Sequence, residues 1–278
     1  MKYFLIQAIR SAVILTGVFL SLFSDLLSDL RIFVALLLKA GGAPLHFWLP
    51  PVIRGISLHN CLILITLQKI APIIIIFHTL NTPLTFYALY LASILSAITG
   101  GIGGLNQTSI RKLIAFSSIN HIAWMLTAIS ASWSLWRLYF FSYLLIASSV
   151  ILWLINFQTL HIREIFKSNS HSPLIKILQV VSFLSLAGLP PLLGFLPKAS
   201  IIGALVFENH YLWLLILLLR SLLTLFFYIR IITLNLTFHS SITKPAKKTS
   251  PLKTSLTIFL SVPNLFAFIL PLFSLFLY

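Results

Sequence analysis

The feature that most constrains this chain is a run of apolar stretches, each about twenty residues long and separated by short polar turns. Such a chain dissolves in lipid, where every backbone amide must be satisfied internally, which leaves helices or closed barrels. Barrel strands alternate apolar and polar residues, whereas these runs are unbroken. Only 8% of the residues are charged, against about a quarter in a soluble domain. The reading is an all-α, polytopic transmembrane helical bundle forming a single domain over residues 1–278, with no soluble module.

Nine spans are predicted: Tyr3–Phe23, Ile32–Leu49, Asn60–Phe77, Leu84–Thr99, Leu113–Ser130, Ser134–Phe157, Ile175–Phe207, Tyr211–Leu236 and Ser255–Leu277. The seventh is too long for one crossing, and its proline-rich centre points to a broken helix. The chain carries 19 Lys+Arg against 4 Asp+Glu, a balance that in a soluble protein would indicate nucleic acid. Here the cations lie between or inside apolar spans, so no nucleic-acid partner is expected. One side collects Lys2, Arg54, Arg111, Lys112, Arg163, Lys167, Lys176 and the lysines of the basic loop 237–254, namely Lys244, Lys247, Lys248 and Lys253. The positive-inside rule then puts the N-terminus on the cytoplasmic or matrix side and the C-terminus opposite.

Two spans carry related interruptions. The segment Ala40-Gly41-Gly42-Ala43-Pro44-Leu45 matches Ala187-Gly188-Leu189-Pro190-Pro191-Leu192 at four of six positions. Gly41, Gly42, Pro44, Gly188, Pro190 and Pro191 would free backbone groups that only a packed or wet interior can satisfy. Paired broken helices point to a transporter built from two repeats. Lysines stand beside both breaks: Lys39 before the first and Lys198 after the second, with Lys69 in mid-span. A lysine at the bilayer centre costs about 2.5–3.5 kcal/mol, so intramembrane lysines default to function. A desolvated amine can exchange its proton, whereas an arginine keeps its charge. The structural alternative is that the lysines snorkel to the interface, a reading that suits Lys198 better than Lys39 or Lys69. His121, in Ser117-Ser118-Ile119-Asn120-His121, lies among hydroxyls and an amide that could hold water and pass protons; a satisfied structural histidine is the competing reading.

Arg10 and Arg220 also fall inside spans, with no acid within helical reach, and snorkelling, a carbonyl partner or another subunit would account for them. Cys61 reads as a core thiol, and no Cys/His spacing marks a metal or iron–sulfur site. Gly100-Gly101-Ile102-Gly103-Gly104 lacks the context of a dinucleotide loop and reads as a turn. No nucleophile–base or carboxylate pair presents itself, so no redox or hydrolytic site is expected.

At these motifs the chain resembles the NADH dehydrogenase subunit 2 family, antiporter-like membrane subunits of mitochondrial respiratory complex I. The likeness is carried by residues 2–8 (KYFLIQA), 39–50 (KAGGAPLHFWLP), 68–72 (QKIAP), 103–124 (GGLNQTSIRKLIAFSSINHIAW), 188–198 (GLPPLLGFLPK) and 226–230 (FFYIR), in consistent order. It implies proton translocation coupled to quinone reduction elsewhere in the complex, in the mitochondrial inner membrane with the positive side as matrix. By resemblance, Lys39 is a gating lysine, Lys69 the central lysine and Lys198 the lysine of the second broken helix; His121 matches the histidine of the SSxxH segment. The resemblance also implies that the chain binds no cofactor itself, with NADH, FMN, iron–sulfur clusters and ubiquinone handled elsewhere. The partners would be other membrane-arm subunits and membrane phospholipids. In the family, the gating lysine pairs with a glutamate on a helix that precedes the region where this chain begins. The sequence reads as lacking about two N-terminal helices, and Lys39 has no visible carboxylate partner. A structural subunit with a degenerate channel, or a self-standing cation/proton antiporter, are the alternative readings.

Overall fold

The computed structural model describes residues 2–21, 25–80, 82–157, 161–162, 164, 173–190, 192–237, 255, 259 and 261–265. In order come α1 (Lys2–Ser21), α2 (Asp25–Ala40), a 3-10 turn (His46–Trp48), α3 (Leu49–Gly55), α4 (Leu58–Ile65) and α5 (Leu67–His78). Then follow α6 (Pro83–Leu105), α7 (Ile110–Ala131), α8 (Trp133–Phe157), α9 (Pro173–Ala187), α10 (Phe195–Phe207), α11 (Tyr211–Thr237) and a 3-10 turn at Val262–Leu265. All named elements among the described residues are helical, as lipid demands of the backbone, and one isolated antiparallel bridge joins Ser109 to His161. Among the described residues, five stretches are long and apolar enough to cross a membrane: Leu58–His78, Pro83–Leu105, Ile110–Ala131, Trp133–Phe157 and Tyr211–Thr233. The basic loop and most of the expected ninth span lie outside the described residues.

The bundle is organised around α7, whose residues from Leu113 to Ile129 are buried almost without interruption. Its neighbours are α6, α8, α3, α10, α11 and α5. Against expectation, the glycines at 100, 101, 103 and 104 do not form a turn but lie inside α6. A glycine inside a helix costs about 1 kcal/mol relative to alanine, and here close packing on two sides offsets that cost. A β-carbon on Gly100 would sit 2.7 Å from the Asn120 backbone nitrogen, and one on Gly103 would strike the Phe116 ring. On the other side Gly104 receives Phe227 of α11, and Gly101 lies against the Arg220 stem. Glycine thus lets α6 serve as a thin wall between α7 and α11. The outward face of α11 exposes Leu212, Leu215, Leu219, Leu222, Phe226 and Ile229, and α1 exposes Phe4, Leu5, Ile9, Leu15 and Phe19; both stripes fit a lipid or protein neighbour in the bilayer.

Both expected breaks are present, between α2 and α3 and between α9 and α10. Gly41 (φ 80°) and Gly188 (φ 84°) adopt the same left-handed conformation directly after the first half-helix, which glycine reaches without steric cost. In each case the glycine amide closes the helix end: Gly41 and Gly42 donate to Leu37 O at 2.9 and 3.0 Å, and Gly188 and Leu189 to Leu184 O at 3.0 and 3.4 Å. Pro44 and Pro190 lie in the breaks, whereas Pro191 is outside the described residues. A third break, which the sequence reading does not mark, lies inside the expected span Asn60–Phe77, found here as the crossing Leu58–His78. Thr66 (φ −105°, ψ −78°) separates α4 from α5, and Thr66 Oγ1 donates to Leu62 O at 2.7 Å. Pro72 inside α5 lacks the amide that would bond Gln68, and its ring crowds the preceding turn. The bend therefore falls just before Lys69.

Arginines tie the loops at one end of the bundle. Arg111 donates to Arg54 O (2.9 Å) and Ile56 O (3.2 Å). Arg230 reaches from α11 to Leu105 O (2.9 Å) and Gln107 O (2.8 Å) at the end of α6. These contacts satisfy carbonyls that a helix end leaves free. The α6 packing predicts that Gly100→Val destabilises the fold by about 1–3 kcal/mol through overpacking. Lowered thermal stability of the detergent-solubilised protein would be the sign; a variant as stable as the parent would mean that α6 and α7 can separate freely.

Candidate functional site: a buried lysine–histidine–lysine cluster

The bend before Pro72 aims Lys69 from α5 into the centre of the bundle, where it is 1% exposed. Its Nζ donates to the Ser118 carbonyl of α7 at 3.0 Å and lies 5.2 Å from the centre of the Tyr143 ring. The first contact offers a hydrogen bond and the second the negative face of an aromatic ring. No carboxylate pairs with it among the described residues, where the salt-bridge geometry is confined to His210 and Glu208 at 3.9 Å. An amine held only by neutral groups can give up its proton without stranding a partner charge.

His121 stands on α7, three residues beyond Ser118 and one turn before Trp124 and Met125. Its Nδ1 lies 2.8 Å from the Tyr139 hydroxyl of α8, and its ring is 4.7 Å from that of Tyr143. The ring also donates to the Leu186 carbonyl at the end of α9, and both Lys69 and Lys198 are near enough to act on it electrostatically. A carbonyl only accepts, so the neutral tautomer that satisfies both contacts carries its proton on Nε2 and takes the Tyr139 proton at Nδ1.

Lys198 opens α10 and folds back over the second break. Its Nζ donates to Ala187 O at 2.8 Å and lies 5.8 Å from the centre of the Trp124 ring. It is 5% exposed, so the snorkelling alternative does not describe it. The side chain crosses directly above Gly188, where any β-carbon would meet Nζ at 2.6 Å. Gly188 is therefore required twice, for its backbone conformation and for the lysine above it. The last two carbonyls of α9, Leu186 and Ala187, thus face His121 and Lys198.

Lys39 is placed differently. It is half-buried in the last turn of α2, and the structure does not bring its amine to the other three. The link is indirect: a β-carbon on Gly42 of the first break would lie 3.5 Å from Ile122, the neighbour of His121. Arg10 takes the carbonyl-partner option, with Nη1 3.5 Å from Lys39 O, while Arg220 stays half-buried against α6.

The serines expected to hold water mostly bond their own helix: Ser117 Oγ donates to Ile114 O at 2.9 Å and Ser118 Oγ to Ala115 O at 2.8 Å. Unsatisfied capacity among the described residues lies elsewhere on α7, where Asn120 Oδ1 and Trp124 Nε1 are buried without a hydrogen-bond partner. A cavity of about 10 Å³ lined by Ile65, Ser117, Tyr143 and Leu186 is close to the size of one water. Sequence reasoning overlooked Tyr139 and Tyr143. Their spacing of four on an apolar helix, which aligns two hydroxyls on one face, was the available signal.

The sequence matches the family described as the transmembrane region of NADH:quinone oxidoreductases and Mrp antiporters over residues 3–224. It is 43% identical over 240 residues to the NADH-ubiquinone oxidoreductase chain 2 of Anopheles gambiae, covering 83% of this chain and 69% of that protein. It is 48% identical over 194 residues to the chain 2 of Aedes aegypti, covering 70% of this chain and 56% of that one. Among solved structures, a chain of respiratory complex I from Thermus thermophilus superposes with a TM-score of 0.85 at 25% identity, over 97% of this chain and 66% of that one. A chain of the Mrp complex of a Dietzia species shares the fold, with a TM-score of 0.79 at 16% identity over 95% of this chain and 63% of that one. The chain spans just over half to about two thirds of the relatives it matches. Fold and sequence agree, and the chain belongs to the NADH:quinone oxidoreductase/Mrp antiporter family of membrane subunits.

Proposed function

We propose that this chain is a proton-translocating membrane subunit of a respiratory NADH:ubiquinone oxidoreductase, carrying protons along Lys69, His121 and Lys198. The observation that supports the reading best is the cluster itself: two buried amines and an imidazole, with no carboxylate paired to them among the described residues, around the end of a broken helix. Buried cations without counter-ions are costly to keep charged, so each is poised to hand its proton on. Tyr139 orients the imidazole between them, and water beside Asn120 and Trp124 would complete the connections. Lys39 would act at the entrance, on the side of the first break. Oxidation of NADH and reduction of quinone would take place on other subunits, which hold FMN, iron–sulfur clusters and quinone. The chain would lie in the mitochondrial inner membrane with its N-terminus towards the matrix, and neighbouring membrane-arm subunits and phospholipids would cover the apolar faces of α1 and α11.

Lys69→Ala in the assembled complex should lower quinone-coupled proton pumping roughly tenfold or more, in the range that a lost proton-transfer group costs. Pumping stoichiometry and turnover equal to the parent's would instead assign the chain a structural role. Tyr139→Phe keeps the ring but removes the hydroxyl that fixes the imidazole, and should slow pumping with little loss of assembly. Comparing proton release per NADH in reconstituted vesicles with subunit content on native gels separates the two effects.

A further inference from the structure

The two breaks have matching backbones but different caps. At the second, the freed carbonyls of Leu186 and Ala187 face His121 and Lys198, both of which can exchange protons. At the first, the carbonyls held are those of Leu38 and Lys39; in the register of the two glycines Lys39 corresponds to Leu186, and Leu38 to Ser185. Trp48 Nε1 donates to Leu38 O at 3.0 Å, and Arg10 Nη1 approaches Lys39 O at 3.5 Å. The Arg10 guanidinium is also seated over the Trp48 ring, 4.0 Å from its centre, and is 3% exposed. An indole N–H is a donor only, and a guanidinium keeps its charge at any pH the protein meets. Neither group can release the carbonyl it holds by losing a proton.

We propose that Arg10, clasped on Trp48, is a positioning residue: a fixed cationic cap that locks the first break and thereby sets the backbone that carries Lys39. It extends the proposed function by assigning the two breaks different duties. The first is an anchor, held by groups that do not titrate; the second is held by the groups that exchange protons. The geometry agrees with helix electrostatics, because a cation beside the last carbonyls of α2 opposes the negative end of its dipole. The position of the ring explains why an arginine suits the place: its planar guanidinium can lie flat on the indole while one edge meets a carbonyl.

The test is amide hydrogen exchange at Gly41 and Gly42 in the assembled complex, since both amides donate to Leu37 O at the end of α2. Arg10→Leu should speed their exchange about tenfold, the counterpart of one hydrogen bond to a charged group. Arg10→Lys, which keeps a cation and a donor, should restore most of the protection, and Arg10→Gln should not. If the leucine variant fails to assemble, the order lysine above glutamine still decides. Equal protection in parent and glutamine complexes overturns the proposal, as does failure of lysine to rescue. Pumping supplies the functional contrast: Arg10→Lys should keep it, whereas Lys198→Arg should keep protection at Gly188 and Leu189 and lose it. Normal pumping by Lys198→Arg would sink the proton role of Lys198 while leaving the Arg10 cap standing.

Discussion

Everything distinctive in this structure follows from the need to satisfy backbone groups in a medium that offers no water. An unbroken helix meets the need by itself, and most of the chain does so. Among the described residues three interruptions do not: the ends of α2 and α9 and the bend at Thr66 each release carbonyls or amides inside the bundle. The partners recruited to those groups are glycine amides, a threonine hydroxyl, an indole, a guanidinium, an imidazole and an amine. The candidate site is therefore not grafted onto the fold. Part of it is the set of caps that the broken helices need.

This coupling explains why a chain with so few polar residues concentrates them where it does. Lys198 and His121 secure the end of α9 and are also groups proposed to move protons. Lys69 is held by the Ser118 carbonyl, on the helix that also bears His121. Loss of any of these side chains would disturb both the backbone and the proposed relay. Variants that keep the cap and change only proton affinity are therefore more informative than alanine substitutions, which combine the two effects.

The glycines of α6 show a second constraint. Residues 100–104 read as a turn by local preference, because glycine is a poor helix former. They are helical because α7 and α11 press on the helix from two sides, leaving no room for a β-carbon at Gly100, Gly103 or Gly104. Tertiary packing overrode local propensity there. The same packing brings Phe116 and Asn120 of α7 against the wall, and so fixes the direction in which His121 points.

The sequence by itself determined the class of the molecule, because long apolar runs admit only spanning helices and Gly-Pro clusters cannot continue them. It also singled out Lys69, His121 and Lys198, since an ionisable residue inside an apolar run is visible without coordinates. Which of these residues meet was decided only by tertiary structure. Lys39 ranked with the other lysines by its position in a span, yet the fold leaves it half-buried and away from the cluster. Arg10 was a charge without an acid, and became the cap of a helix 29 residues away only once α1 packed on α2. Tyr139 and Tyr143 looked like ordinary aromatic residues of α8 until the bundle set them against His121 and Lys69. The physical reason is that apolar periodicity is local, whereas a hydrogen bond between helices depends on their rotation and depth, which the packing of the whole bundle sets.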